Sequence, residues 1–247
     1  MNDKTKITLT PEQETLLIPL YTKSQPDNPL FFDPIAQEIL KRVDYDFKGL
    51  RVPYKTVILV CQRAKKLDAV TRTFLAENPG GVVLHLGCGL DGRFWRVDDG
   101  KVSWYDLDMP PVVALRKQFY PEDKRYHLLA ASVTDLVWVD KVEAGGRPVL
   151  VVAEGLLMYL GEVDVKRLLL RLHVAFPGCR LIADVFSRMT ARSATQHPSL
   201  KHTGATIGWG IDDPHEIESW SPAIHLLEEW YFTQDPDLAH LNLGYRL

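Results

Sequence analysis

Twelve residues near the middle of the chain, Val82-Val83-Leu84-His85-Leu86-Gly87-Cys88-Gly89-Leu90-Asp91-Gly92-Arg93, restrict the fold more than any other stretch. Four of the first five are apolar, and they run straight into Gly87, Gly89 and Gly92. A continuous apolar run that ends in glycine reads as a strand buried on both faces and closed by a tight turn. Glycine lets the backbone bend there and approach a ligand with no Cβ between them. About 20 positions on, the distance at which a ribose-binding carboxylate follows such a turn, stand Asp106 and Asp108. Glycine turn, second strand and acidic tip together hold a nucleoside cofactor: backbone against it at the turn, carboxylate on the ribose hydroxyls.

The rest of the chain fits around that unit. Thr10-Pro11-Glu12-Gln13 has the cap, proline and glutamine of a helix start, and this first helix carries Leu16, Leu17 and Leu20. Asp33-Pro34 opens a second helix. From about Thr56 to Glu77, Val57, Val60, Cys61, Ala64, Leu67, Val70, Thr71 and Phe74 fall at spacings of three and four, predicting one long amphipathic helix. Beyond it, strands are predicted at 82–86, 102–107, 126–130, 148–153 and 179–184. Helical segments are predicted near 91–95, 110–119, 134–138 and 162–175. Alternation of this kind implies a parallel sheet with helices on both faces. After Ser187 it breaks: 188–205 reads as a helix-plus-loop excursion, and Ile224–Phe232 with Leu241–Leu247 as an antiparallel hairpin at the sheet edge.

Which cofactor the turn serves is decided by the residues after it. Gly87 to Gly92 satisfies G-x-G-x-x-G literally, which leaves a dinucleotide site open. That site needs a long regular helix under the pyrophosphate, whereas Leu90 to Gly100 is short, bulky and soon broken. A cofactor without a pyrophosphate fits better. Asp106 and Asp108 stand two apart on a strand and so share a side. One can hold the ribose while the other caps the helix at Pro110, or both can merely cap. Asp135, in Ala131-Ser132-Val133-Thr134-Asp135-Leu136, can accept an adenine amino group with Leu136 against the ring, or act as an ordinary cap. Glu154 ends the apolar run Val151-Val152-Ala153, where a lone carboxylate is costly. It must face the cofactor or a cation, and Arg63 is a partner on the long helix. Tyr159 either lines the acceptor pocket or packs. His202 is a weak candidate for a general base. The histidines show no metal-ligand spacing, and neither a G-x-S-x-G elbow nor a P-loop is present.

These residues resemble a known family, the class I S-adenosylmethionine-dependent methyltransferases of the leucine carboxyl methyltransferase type, in particular the bacterial branch similar to polyketide O-methyltransferases. The carrying stretches are Glu14 to Tyr21, Asp33-Pro34-Ile35-Ala36, Leu86 to Arg96, Tyr105 to Pro110, Ala131-Ser132-Val133, Ala153 to Leu160 and, further on, Trp209 to Asp213. The resemblance implies a Rossmann-like α/β fold: a seven-stranded, mostly parallel sheet of order 3-2-1-4-5-7-6, the last strand antiparallel, under an N-terminal helical cap. It implies that Gly87 and its turn, with Cys88 and Gly89, contact the methionine part of the cofactor, and that Gly155 is also among the cofactor-binding residues. Asp108, or failing that Asp106, would hold the ribose and Asp135 and Leu136 would flank the adenine, with Met109 and Ser132 also among the cofactor-binding residues. Arg63, with Lys23, would bind the cofactor carboxylate and Glu154 would sit near its amino group. One departure is Gly92, where the family usually has Thr; this removes a hydroxyl and is expected to loosen the turn. Relatives are also commonly longer, the difference being expected in the cap.

The expectation is a single methyltransferase domain over 1–247: a helical N-terminal cap (1–80), a cofactor-binding core (81–187) and a substrate-cap excursion with a C-terminal hairpin (188–247). Its reaction would be O-methylation of a small-molecule carboxylate or hydroxyl. Protein C-terminal carboxyl methylation is the alternative within the class; an NAD(P)-dependent oxidoreductase and a non-catalytic cofactor-binding protein are the rivals outside it. In-line transfer from a sulfonium needs mainly alignment and a dry site, and no base constellation stands out, which favours a carboxylate or an acidic hydroxyl. A net charge of −3 gives nucleic acid or an anionic membrane no general attraction. No apolar run approaches the length of a membrane span. Cys61, Cys88 and Cys179 are odd in number and widely spaced, so a cytoplasmic protein with reduced thiols and no metal is expected. Oligomeric state is left open.

Overall fold

The structure is a computed structural model and describes residues 5–6, 15–194 and 206–241. The five apolar runs form strands β1 (Val82–Leu86), β2 (Ser103–Asp108), β3 (Tyr126–Ala130), β4 (Val149–Ala153) and β5 (Arg180–Ala183). All neighbours are parallel, in the order β3-β2-β1-β4-β5. Every residue of β1 and β4 is buried, as strands covered on both faces require. The strand order reverses beside β1, which makes its carboxyl end the switch point where open α/β sheets place their ligands.

Helices α1 (Leu17–Lys23), α2 (Pro34–Arg42) and α3 (Tyr54–Glu77) precede the sheet. Asp33 starts α2 as expected: its Oδ1 accepts the N–H groups of Ile35 (2.9 Å) and Ala36 (3.2 Å). Four short or medium helices come after, α4 (Arg93–Val97), α5 (Pro110–Arg116), α6 (Glu162–Ala175) and α7 (Arg188–Ala194). The segment expected near 134–138 is a 3₁₀ turn, Leu136–Lys141.

Period-two alternation in the strands divides the core. Val83, Trp104, Leu150 and Val152 face one way and pack with Leu17, Leu20, Ile39, Leu67 and Phe74 of α1–α3. Val82, Leu84, Leu86, Leu107 and Val151 face the other way, against Val165, Leu168 and Leu172 of α6 and against Trp209 and Ile211.

One expected element is corrected. Ile224–Phe232 forms no strand, and of the other half of the supposed hairpin only Leu241 is described. Among the described residues the main sheet therefore has five strands rather than seven; a separate two-residue parallel ladder joins Thr5–Lys6 to Val43–Asp44. The physical reason lies in α3. Gln62 donates to the Phe232 carbonyl (3.3 Å), Lys66 pairs with Glu228 and lies 5.8 Å from the Trp230 ring centre, and Lys65 pairs with Asp237. These contacts tie Glu228, Trp230, Phe232 and Asp237 to α3, while Ile224 packs with the cluster on the other face of the sheet. Among the described residues no helix is long and apolar enough to cross a membrane, and no group of side chains is arranged to hold a metal.

Candidate functional site

A cavity of about 520 Å³ opens at the carboxyl ends of β1, β2 and β4. The turn after β1 forms its floor. Gly87 takes φ +63°, a left-handed conformation that favours glycine, and a Cβ there would lie 2.9 Å from Leu156. The N–H groups of Gly87 (2.8 Å) and Cys88 (3.2 Å) both donate to the Leu107 carbonyl, tying the turn to β2. Gly89 N–H donates to Asp108 Oδ2 and Met109 N–H to Asp108 Oδ1, each at 2.7 Å. Burial pushes the Asp108 carboxyl up, against the pull of these backbone donors. The same carboxylate that faces the cavity is thus already oriented by the turn.

Asp106 does something else. It is fully buried, does not line the cavity, and takes hydrogen bonds from the Trp104 indole (2.8 Å) and Tyr126 hydroxyl (2.5 Å). It also meets His85 Nδ1 at 3.0 Å and pairs with Arg116. Burial would raise its carboxyl, but Arg116, His85 and Tyr126 outweigh burial and hold it below the usual range. Arg116 then reaches back to the turn, donating to the carbonyls of Gly89 (2.9 Å) and Asp91 (2.7 Å) and to Tyr126 Oη (2.8 Å). A buried arginine therefore latches the glycine turn to the middle of β2. Neither carboxylate caps α5: Met109 stands at its N-terminus with no side-chain cap.

On the other side of β1, Glu154 ends β4 inside a network of charges. Arg63 Nε donates to its Oε1 at 3.2 Å, the pair expected from sequence, and Arg93 pairs with Oε2. Burial would raise the Glu154 carboxyl; Lys23, Arg93 and Arg63 together hold it far below the usual range. Asp91 meets Lys23 (Nζ–Oδ2 3.1 Å) and Arg96 (2.7 Å), and Arg96 continues to Asp33 and Asp68. Asp91 Oδ2 is in ionic contact with Lys23 but has no aligned hydrogen bond.

Of the residues singled out in the sequence, the cavity brings together Lys23, Arg63, Gly87, Cys88, Gly89, Asp108, Met109, Glu154, Gly155 and Tyr159. Asp106, Ser132, Asp135 and Leu136 are not on its wall. Ser132 bonds Thr134 (2.8 Å) and Asp135 is exposed at the start of the 3₁₀ turn, with no side-chain cap bond. His202 lies outside the described residues. Partial desolvation raises the Tyr159 hydroxyl, so it stays protonated near neutral pH. At Gly92 a Cβ would come within 3.2 Å of Ile35 and of the Tyr120 hydroxyl, so neighbours already occupy part of the space a Thr would use. Sequence reading missed Arg93 and Arg116. Their only signal is a charged residue on the buried side of a short helix.

The donor set fits one kind of ligand. A carboxylate at the rim of β2 suits a ribose diol, a cation and an anion together at the other end suit an amino-acid group, and Leu16, Leu90, Val112 and Met158 supply apolar wall. The parallel sheet with this site at its switch point is that of the Rossmann-like methyltransferases. A Thermobifida fusca structure solved under the name of a methyltransferase superposes with a TM-score of 0.59 at 20% identity, covering 94% of this chain and 91% of that one. Residues 17–173 match the family model for leucine carboxyl methyltransferase. The tetracenomycin polyketide synthesis O-methyltransferase TcmP of Streptomyces glaucescens is 42% identical over 238 residues, spanning 94% of this chain and 87% of TcmP. An S-adenosyl-L-methionine-dependent methyltransferase of Gibberella zeae, dpfgK, is 30% identical over 94% of this chain and 86% of its own length. The chain belongs to the leucine carboxyl methyltransferase family, and it is an S-adenosylmethionine-dependent methyltransferase.

Proposed function

We propose that the protein methylates an oxygen, carboxylate or acidic hydroxyl, of a small molecule of the polyketide or secondary-metabolite kind. The observation that carries the reading is the convergence of Asp108, Arg63 and Glu154 on one cavity that Leu16, Pro19, Met158 and Phe186 also line with apolar surface. The similarity to TcmP over most of both chains supports the acceptor class. When bound, S-adenosylmethionine supplies an electrophilic methyl on its sulfonium. The chain's own part is to hold that cofactor and to align the acceptor in a site that excludes water. Asp108 would accept from the ribose hydroxyls, Arg63 with Lys23 would meet the cofactor carboxylate, and Glu154 would take its amino group. Gly87, Cys88, Gly89 and Gly155 would allow close backbone approach, and Met109 would lie beside the nucleoside. Asp135 and Leu136, with Ser132, would reach the adenine from just beyond the wall.

The division into a cap (1–80), a core (81–187) and a substrate-side region (188–247) is supported by the cavity itself, since Thr15, Leu16 and Pro19 line it from one end of the chain and Thr206 from the other. A cytoplasmic protein with no nucleic-acid or membrane partner is supported by three free thiols and a net charge of −3. Calorimetric titration with S-adenosylhomocysteine and with NADH, then turnover on aromatic acids and phenols, tests the reading. Heat with S-adenosylhomocysteine alone and methyl transfer to oxygen is the expected result; NADH binding, or methylation of a protein C-terminus only, would overturn it.

A further inference from the structure

The cavity wall contains an arginine whose orientation neither the glycine turn nor Glu154 fixes alone. Asp184 is the first residue after β5. Its two oxygens hold two different neighbours. Oδ1 accepts Gly155 N–H at 2.6 Å, and Oδ2 accepts from Arg63 Nη1 at 2.8 Å. Arg63 Nε meanwhile donates to Glu154 at 3.2 Å. Two of the three guanidinium nitrogens are therefore committed to carboxylates from two strand ends, and Nη2 has no hydrogen-bond partner among the described residues. A guanidinium is a rigid plane, so fixing two of its nitrogens aims the third. Gly155 completes the arrangement. It takes φ +62°, and a Cβ there would come within 3.1 Å of Arg63 Nη2. The glycine leaves the guanidinium room to lie against the backbone at the edge of the cavity. Asp184 is 9% exposed and Arg63 16%, so water does little to loosen the pair.

We propose that Asp184 is a positioning residue for the cofactor: by holding both Arg63 Nη1 and Gly155 N–H it aims Arg63 Nη2 at the carboxylate of the cofactor's amino-acid end. The inference rests on the proposed pairing of that carboxylate with Arg63. Without Asp184, Arg63 keeps Glu154 but is free to turn about that single contact, and the carboxylate meets a guanidinium that must first be ordered.

Two probes separate this role from a merely structural one. S-adenosylhomocysteine carries the carboxylate; 5′-methylthioadenosine has the same nucleoside and no amino-acid end. Calorimetric titration of Asp184→Ala is expected to show S-adenosylhomocysteine weakened roughly tenfold, the scale of a charged hydrogen bond, with 5′-methylthioadenosine affinity unchanged. Arg63→Met should lose the same selectivity, and the double variant should lose little more than either alone. If Asp184→Ala binds neither probe, Asp184→Asn, which keeps an acceptor for Gly155, decides with the same expectation. Equal weakening of both probes, unchanged or tighter S-adenosylhomocysteine binding, or two variants that bind nothing would each overturn the assignment. A wild-type protein that takes neither probe would instead overturn the cofactor reading beneath it.

Discussion

Replacing Arg116 with methionine should unlatch the glycine turn from the sheet. The arginine is fully buried and serves acceptors from three parts of the chain: the carbonyls of Gly89 and Asp91 in the turn, the Tyr126 hydroxyl on β3 and the Asp106 carboxylate on β2. It also lies 4.3 Å from the centre of the Tyr120 ring. Methionine keeps much of the stem and removes the charge and every donor. Leaving Asp106 buried without its cation costs about 3–5 kcal/mol. The two carbonyls would each cost about 1–3 kcal/mol if they stayed dry. Gly89 and Asp91 line the cavity, so water entering the space the guanidinium leaves would satisfy them in part and the losses would not add. The expected net loss is therefore about 3–5 kcal/mol in urea unfolding, read as a fall in midpoint at constant slope. Converting Asp106 to asparagine in the same chain should recover part of it, because the stranded charge is gone. S-adenosylhomocysteine affinity should fall in Arg116→Met and not recover in the double variant, since the turn stays loose. A loss below about 0.5 kcal/mol, the range of ordinary surface changes, with unchanged affinity would show that the turn holds its shape without the latch.

Three further tests address the site. Asp108→Ala and Glu154→Ala should each weaken S-adenosylhomocysteine by roughly tenfold or more, taking about 1–3 kcal/mol for a charged hydrogen bond; unchanged calorimetric affinity in both would refute the assignment. Gly87→Ala should cost about 1–2 kcal/mol in urea unfolding from its left-handed backbone alone, beyond the 2.9 Å contact with Leu156. Gly92→Ala, with φ −86°, should lose about 1 kcal/mol through crowding of Ile35 and Tyr120 only; a larger loss at Gly92 than at Gly87 would contradict this ordering. Acid should unfold the protein through Glu154, Asp91 and Asp106, whose carboxyls are held low when folded. The folded state then binds fewer protons than the unfolded chain, so their stabilisation is complete above roughly pH 5 and is lost as pH falls through their depressed values. Asp108, raised by burial, acts in the opposite sense and protonates first. Cofactor affinity should accordingly decline at a higher pH than the urea midpoint does, and a flat midpoint from pH 7 to 3 would refute the charge network as a source of stability.

The parts of the fold written in local periodicity were legible in the sequence. The strands β1 to β5 and the long helix α3 each came from spacing within one segment, and the Asp33 cap from two adjacent residues. The Glu154–Arg63 pair was legible for another reason: a carboxylate at the end of a buried strand demands a cation, and few lie on the facing helix. What failed or was missed depends on contacts distant in the chain. Asp106 and Asp108 share residue type and strand, and only the arrival of His85, Tyr126 and Arg116 from other elements separates a core hub from a cavity carboxylate. Ile224–Phe232 has strand-forming residues but forms no strand, and Gln62 and Lys66 of α3 hold Phe232 and Glu228 instead. Asp184 carries no signal of its own in the sequence; only the fold brings Arg63 and Gly155 to it.

The charge network also explains why the first helices sit where they do. Below the rim, α1 to α3 are fixed by apolar packing on the sheet. At the rim that means is not open to them, because filling the strand ends with apolar side chains would fill the cavity as well. There Lys23 of α1, Asp33 at the head of α2, and Arg63 and Asp68 of α3 meet Asp91, Arg93 and Arg96 after β1, Glu154 after β4 and Asp184 after β5. Buried ion pairs add little net stability over an apolar equivalent, but they tolerate few alternative arrangements, and losing one partner strands the other. A network of them therefore fixes the register of three helices against three strand ends while leaving open space between. Because Arg63 and Lys23 belong both to this scaffold and to the cavity wall, the helices before the sheet help form the cavity itself, and a change in how they dock changes its shape.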